Sequence, residues 1–281
     1  MHVAETIDAL AAWRAAVAGT LGVVPTMGAL HDGHLSLVRR ARRECDRVAT
    51  TIFVNPAQFG PHEDLQSYPR DLPRDLALLT AAGVDCVFTP TGPMMYPADF
   101  STWVTVEQIV NRWEGVSRPG HFRGVATIVL KLLNLTRADR AYFGEKDYQQ
   151  LRVVERMVRD LNVPTAIVAC PTVREPDGLA MSSRNAHLSP VERRAAIVLW
   201  RGLGAARAAC LAGERSGEAL GRLVTETIQR EPLARVDYVA VGDPESLEPV
   251  TRVARGGAIC LVAAWIAKVR LIDNLLLVPT A

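Results

Sequence analysis

What most constrains this chain is an alternation of pattern. Through residue 170, short apolar runs rich in β-branched residues trade places with segments of helical periodicity. The runs at 22–26, 48–54, 84–89, 140–144 and 165–169 predict strands. Helices are predicted between them, at 34–45, 72–82, 123–135 and 148–161. In the first of these, Val38, Ala41 and Cys45 recur at helical spacing from His34. Strands that alternate with helices over this length predict a parallel, doubly wound sheet of order 3-2-1-4-5. Residues 103–106 predict an extra edge strand.

After residue 172 the pattern changes. Ser189-Pro190-Val191-Glu192 carries a capping box with proline at the first helical position, and predicts a helix to Leu211. A second helix is predicted at 218–230, then two extended runs at 235–241 and 258–272. The expected fold class is therefore α/β. A Rossmann-like doubly wound parallel-sheet domain (1–172) is followed by a smaller α+β domain with an antiparallel sheet (173–281). Apolar residues make up 49% of the 281, enough for two cores.

Composition excludes several function classes. A net charge of +2 supplies no basic footprint for nucleic acid. No stretch approaches the roughly 18 uninterrupted apolar residues of a membrane span. The N-terminus lacks the basic and apolar regions of a signal peptide. The five cysteines are scattered and form no Cys-x-x-Cys pair, which fits a reducing, cytoplasmic setting.

Four segments carry chemistry. Met27-Gly28-Ala29-Leu30-His31-Asp32-Gly33-His34 joins the first predicted strand to its helix. A helix N-terminus offers N–H groups and partial positive charge to phosphate, and the glycines allow close backbone approach. His31 and His34 are spaced to balance charge developing on an α-phosphate. A capping role for His34 with a solvated His31 is the plainer reading, and zinc lacks a third ligand nearby. Gly144-Glu145-Lys146-Asp147 follows the fourth strand, which neighbours the first where the winding reverses. Lys146 there is a compact charge for phosphate, or a residue of a solvated turn. Met181-Ser182-Ser183-Arg184 suits a clamp on a triphosphate, or a polar linker. The Asn55–Gln58 segment and Gln150 offer amides for a hydroxyl or carboxylate, or are surface groups. Together they point to an ATP-dependent ligase that adenylates a carboxylate. A nucleotidyltransferase shares the first segment, and a non-enzymatic nucleotide-binding regulator would keep the phosphate loops.

The chain resembles the pantothenate synthetase (pantoate–β-alanine ligase) family. The resemblance rests on Pro25-Thr-Met-Gly-Ala-Leu-His-Asp-Gly-His34, Phe53-Val-Asn-Pro-Ala-Gln-Phe59, Arg118-Pro-Gly-His-Phe-Arg-Gly124, Phe143-Gly-Glu-Lys-Asp147, Val173-Arg-Glu-Pro-Asp-Gly-Leu-Ala-Met-Ser-Ser-Arg-Asn185 and Val269-Arg-Leu-Ile-Asp-Asn274. It implies condensation of pantoate with β-alanine, using ATP and Mg2+ and releasing AMP and pyrophosphate, in a cytoplasmic homodimer. It implies ATP contacts from the 27–34 segment, Gly144 to Asp147, Val173 and Met181 to Arg184. Gln58 and Gln150 would hold pantoate, with Gln58 also near β-alanine. His34, His31 and Lys146 are the implied catalytic groups, His34 as proton donor. No protein ligand to the metal is assigned, and Asp75 is a candidate helper. Arg118, His121 and Arg123 fit either a substrate pocket or a flap.

Overall fold

A computed structural model describes residues 1–61 and 63–280. Along the chain run β1 (His2–Ala4), α1 (Ile7–Ala16), β2 (Leu21–Thr26), α2 (Asp32–Glu44), β3 (Arg47–Ile52), α3 (Leu72–Ala81), β4 (Cys86–Phe88) and α4 (Gly92–Met95). Then come α5 (Glu114–Ser117), α6 (His121–Thr136), β5 (Arg140–Gly144), α7 (Tyr148–Asp160) and β6 (Ala166–Cys170). The remainder is α8 (Pro190–Ala195), α9 (Val198–Leu211), α10 (Gly217–Gln229), β7 (Ala234–Gly242), β8 (Ala258–Ile266) and β9 (Val269–Leu277). These residues group into two compact units. The first comprises Met1–Val110, Arg118–Glu145 and Val153–Pro171. The second comprises Asn111–Ser117, Lys146–Arg152 and the chain from Thr172 onward.

The first unit is built on a parallel sheet of order β1-β4-β3-β2-β5-β6. Its last five strands reproduce the expected order 3-2-1-4-5. Parallel strands have both faces covered, so they read as continuous apolar runs rather than alternating ones. Val23 and Val24, adjacent on β2, are both fully buried, one on each face. On one face Leu35, Val38 and Ala41 of α2 and Leu79 of α3 pack with Val24 and Val87. Gly22 lets α2 lie close to β2, because a Cβ there would come within 3.0 Å of Cys45 Sγ and the Tyr142 ring.

In the second unit β7, β8 and β9 form an antiparallel sheet. The helices α9 and α10 pack on it through Leu199, Leu203, Leu220 and Val224. Three polar links hold the two short segments from earlier in the chain. Arg270 on β9 donates both guanidinium nitrogens to the buried Glu114, each at 2.8 Å. Gln149 accepts from the Glu114 N–H at 3.1 Å and donates to the Arg112 carbonyl at 2.9 Å. Asn274 donates to the Lys146 carbonyl at 2.9 Å. Burial by itself lowers the Arg270 pKa, but the Glu114 and Asp237 carboxylates outweigh it and raise it above the ordinary value.

Several elements differ from the sequence expectation. β1 and α1 were not predicted, because three residues of strand are too few to show a period. Residues 103–106 form no strand. The Val104 N–H donates instead to Thr127 Oγ1 at 3.0 Å, and Trp103 stacks on Tyr96. The run 258–272 is a hairpin, turned at Ala267 in the left-handed region with φ 49°. The helix expected to reach Leu211 from Ser189 divides into α8 and α9. Its capping box is present, with the Ser189 N–H donating to Glu192 Oε2 at 2.7 Å. All five cysteines are buried and free, and burial pushes the Cys86 and Cys260 thiols up to about 12. Among the described residues no helix is long and apolar enough to cross a membrane.

Removing Glu114 takes away the two-pronged bond to Arg270, whose charge keeps its bonds to Asp237. Glu114→Ala is therefore expected to destabilise the chain by about 1.5–3 kcal/mol, read from urea denaturation. A change below about 1 kcal/mol would show that the pair does not anchor the 111–117 segment.

Candidate functional site

In the first unit β2 and β5 are sheet neighbours, with Val23 opposite Ala141. Their carboxyl ends, Thr26 and Gly144, therefore open on the same edge, where the winding reverses. The segment after Thr26 is a tight turn. Gly28 has φ 82° and Ala29, without glycine's freedom, φ 50°. Left-handed backbone at a non-glycine residue persists only when its surroundings hold it. The holder is Asp75 of α3, 1% exposed. Its carboxylate accepts the Ala29 and Leu30 N–H groups, each at 2.8 Å. Arg74 clamps the same turn from outside by donating to the Leu30 carbonyl at 3.0 Å. With both oxygens engaged by the loop, Asp75, the candidate helper of the sequence, is a structural pin of this turn.

The turn delivers two histidines to the start of α2. His31 is the N-cap, and its Nδ1 accepts the Gly33 N–H at 3.1 Å. His34 is the third helical residue, and its Nδ1 accepts the His31 N–H at 3.4 Å. This is a capping box with imidazoles in place of hydroxyl and carboxylate. A nitrogen that accepts a bond carries no proton, so each neutral ring holds its hydrogen on Nε2. The rings lie 4.0 Å apart between centroids, so the two Nε2–H donors are presented together at a helix N-terminus. The capping reading of these residues and the phosphate reading are thus compatible: one nitrogen caps and the other donates.

Gln58 is buried at the end of a short 3-10 turn, Pro56–Gln58, beyond β3. Its amide Nε2 lies 3.1 Å from Met27 Sδ. Its backbone carbonyl is gripped by His121 Nδ1 at 2.8 Å and Arg118 Nη2 at 3.3 Å. Arg118 is in turn held by Glu63 at 2.8 and 2.5 Å. Arg118 and His121 therefore belong to the Gln58 support. Arg123 points elsewhere, over the Trp103 ring at 4.8 Å. The α6 helix approaches this turn closely: a Cβ on Gly124 would lie 2.2 Å from the Ala57 carbonyl oxygen.

The other expected site residues lie in the second unit, apart from Gly144, which ends β5, and Glu145, which follows it, both in the first. Lys146 Nζ pairs with Asp147 at 3.3 Å. Gln150 is half-buried in the first turn of α7, where the adjacent Gln149 is committed to the Arg112 and Glu114 backbone. Val173 accepts the Met181 N–H at 3.0 Å, closing a small hairpin that ends at the 181–184 segment. Ser182 Oγ caps the following 3-10 turn by accepting the Arg184 N–H at 3.3 Å. The support beneath this hairpin was not singled out from sequence. Arg174 makes a two-pronged bond to the buried Asp273 at 2.7 and 2.9 Å and lies over the Trp200 ring at 3.9 Å. Gly178 packs against the same ring, where no Cβ fits. The closing Asp273-Asn274 pair was visible only as part of a motif, with no signal of its role.

Comparison with known proteins adds the family. The family model for pantoate-beta-alanine ligase matches residues 2–276. The chain belongs to the pantoate–β-alanine ligase family. A pantothenate synthetase of Roseiflexus sp. (strain RS-1) is 58% identical over 277 residues, covering 99% of both chains. The crystal structure of a Thermus thermophilus pantothenate synthetase superposes with a TM-score of 0.95 at 51% identity, over 99% of this chain and 100% of that one. A Francisella tularensis pantoate–β-alanine ligase, complexed with beta-gamma ATP and beta-alanine, gives 0.81 at 35% identity over 98% of this chain and 97% of that one. Membership in this ligase family sets aside the nucleotidyltransferase and regulator readings.

Two outcomes are expected. Asp75→Ala strands the buried Leu30 N–H, at about 1–3 kcal/mol, and the part-buried Ala29 N–H, so the thermal midpoint should fall and ATP binding weaken. An unaltered ATP affinity in a stable variant would show that the turn holds itself. For Glu63, burial raises the carboxyl, but the bond and charge of Arg118 outweigh it and leave it below its ordinary value of 4.5. A lowered native pKa contributes stability that is complete above the unfolded value and lost as pH falls through the native one. Gln58 support should therefore weaken below about pH 4.5 in the native chain, and Glu63→Gln should remove that acid step from a pH titration of stability.

Proposed function

We propose that the chain condenses pantoate with β-alanine at the expense of ATP, through a pantoyl adenylate, with release of AMP and pyrophosphate. The observation that carries this is the pinned turn that presents two imidazole Nε2–H donors at the N-terminus of α2, beside a buried glutamine amide. Oriented donors at a developing charge stabilise a transition state without reorganisation, and phosphoryl chemistry asks little else of the protein. Family membership supports the substrate pair.

In the first step a pantoate carboxylate oxygen attacks the α-phosphorus, and the bond to the bridging oxygen of pyrophosphate breaks. His31 and His34 donate to the oxygens that gain charge, His34 also serving as proton donor. In the second step the β-alanine amine attacks the acyl carbon, loses a proton, and AMP departs with the electron pair of the acyl–oxygen bond. We assign ATP contacts to the 27–34 segment, Gly144, Glu145, Lys146, Asp147, Val173, Met181, Ser182, Ser183 and Arg184. Gln58 and Gln150 hold pantoate, and Gln58 also lies near β-alanine. Among the described residues no group of three or more His, Cys, Asp or Glu side chains is placed to hold a metal ion. Magnesium, which retains waters and takes few protein ligands, would enter on the triphosphate. A cytoplasmic homodimer belongs to the same proposal, with sedimentation as its check.

With all three substrates the purified chain should release AMP and pyrophosphate in equal amounts, and ADP as product would overturn the adenylate route. His34→Ala and Lys146→Ala should each slow single-turnover adenylate formation by about 100-fold or more. A near-normal rate in either variant removes that residue from the mechanism.

A further inference from the structure

Beneath Gln58 lies a fully directional hydrogen-bond relay. Asn55 is 1% exposed and its side chain makes four bonds. Its Oδ1 lies 3.2 Å from the Ala57 backbone N–H and 2.9 Å from the Tyr96 hydroxyl. Its Nδ2 lies 3.2 Å from the Gly124 backbone carbonyl and 3.0 Å from the Gln58 side chain. The two ends of an amide are easily confused, but backbone groups have one role each. The Ala57 N–H only donates, so the Asn55 atom facing it is the oxygen. The Gly124 carbonyl only accepts, so the opposite atom is the nitrogen. Backbone alone therefore fixes which way Asn55 points.

The consequence passes outward. The second hydrogen of Asn55 Nδ2 meets Gln58, so the Gln58 atom there must be its oxygen. The Tyr96 hydroxyl, facing an acceptor, must donate. Burial pushes that hydroxyl up to about 12, somewhat offset by its bond to Asn55, so it keeps its proton through the neutral range. Gln58 is left with Nε2 on its far side, against Met27 Sδ at 3.1 Å. A thioether is a weak acceptor and yields to a better one. The Gln58 carbonyl is held by Arg118 and His121, so the residue does not escape by moving its backbone.

We infer that Tyr96 and Asn55 are positioning residues that set the polarity of the Gln58 amide, so that Gln58 offers only N–H donors to its ligand. The group recognised there is an acceptor oxygen of the acid substrate, a carboxylate or hydroxyl oxygen. The ammonium of the second substrate is excluded from that position. This rests on the assignment of Gln58 to pantoate, and extends it from contact to the direction of the bond.

Steady-state kinetics of the full chain with ATP, pantoate and β-alanine test both levels. Gln58→Ala and Gln58→Glu should each raise KM for pantoate about 10-fold with KM for ATP unchanged, the loss of a bond to a charged group. An unchanged pantoate KM in Gln58→Ala would overturn the contact itself. The relay is tested by Asn55→Asp against Asn55→Ala. Aspartate is nearly isosteric but places an acceptor where Asn55 donates, so it turns the Gln58 amide over. Alanine merely leaves that amide unanchored. The relay predicts a higher pantoate KM in the aspartate variant than in the alanine variant, whereas a packing role predicts the reverse. Tyr96→Phe, which keeps the ring and removes the donor, should raise pantoate KM about 3-fold with kcat and ATP KM unchanged. If Gln58→Ala is impaired while the alanine variant at Asn55 is as poor as the aspartate variant or poorer, the relay is wrong and the contact stands.

Discussion

A carboxylate with almost no exposure to water holds the turn that positions His31 and His34. Asp75 satisfies two backbone N–H groups that the left-handed Gly28-Ala29 pair would otherwise leave unpaired inside the protein. The energetics explain why a carboxylate is used. An orphaned buried donor costs about 1–3 kcal/mol, and a charged acceptor makes bonds roughly twice as strong as a neutral one. With the turn held, His31 falls at the N-cap of α2 and His34 one turn in. Their Nδ1 atoms then close the capping box, and the Nε2–H donors follow without further adjustment.

The same economy recurs around Gln58 and, separately, in the second unit. Each residue assigned to the site is held through its backbone or through one amide by a neighbouring side chain. Arg118, His121 and Glu63 hold the Gln58 carbonyl, and Asn55 holds its side chain. In the second unit, Asn274 holds the Lys146 carbonyl, and Arg174 with Asp273 holds the hairpin that leads to Met181. Charged partners serve here because two-pronged guanidinium–carboxylate geometry fixes orientation as well as position.

Much of the fold was legible because its determinants are local. A buried parallel strand must be an unbroken apolar run, and an amphipathic helix must repeat every three to four residues, so β2, β3, β5, α2 and α7 announce themselves. The elements that were misread have weak local signals. β1 has three residues. Residues 103–106 carry strand-like side chains, but the Val104 N–H finds Thr127 and not a neighbouring strand. The hairpin after Ala258 hides its turn at Ala267, a residue that ordinarily avoids positive φ. In the site, glycines, histidines and the Gly-Glu-Lys-Asp segment stand out by type. Glu63 and Tyr96 do not, since an acid or a tyrosine in a loop or helix looks like any other until its partners are known, and Asp75 reads from sequence as a candidate helper but not as the holder of the turn.

The class of chemistry was legible from residue types and their order: a glycine turn with two histidines, a lysine after the fourth strand and an amide after the second, in an order that resembles one ligase family from end to end. How those groups are oriented depends on contacts between residues far apart in the chain. Asp75 lies 46 and 45 residues from the N–H groups it binds, and Gly124 69 residues from the asparagine that reads its carbonyl. The proton on each imidazole and the direction of the Gln58 amide follow from the backbone groups set against them. A side chain's type shows that it can donate or accept, whereas the backbone group placed against it decides which of the two it does.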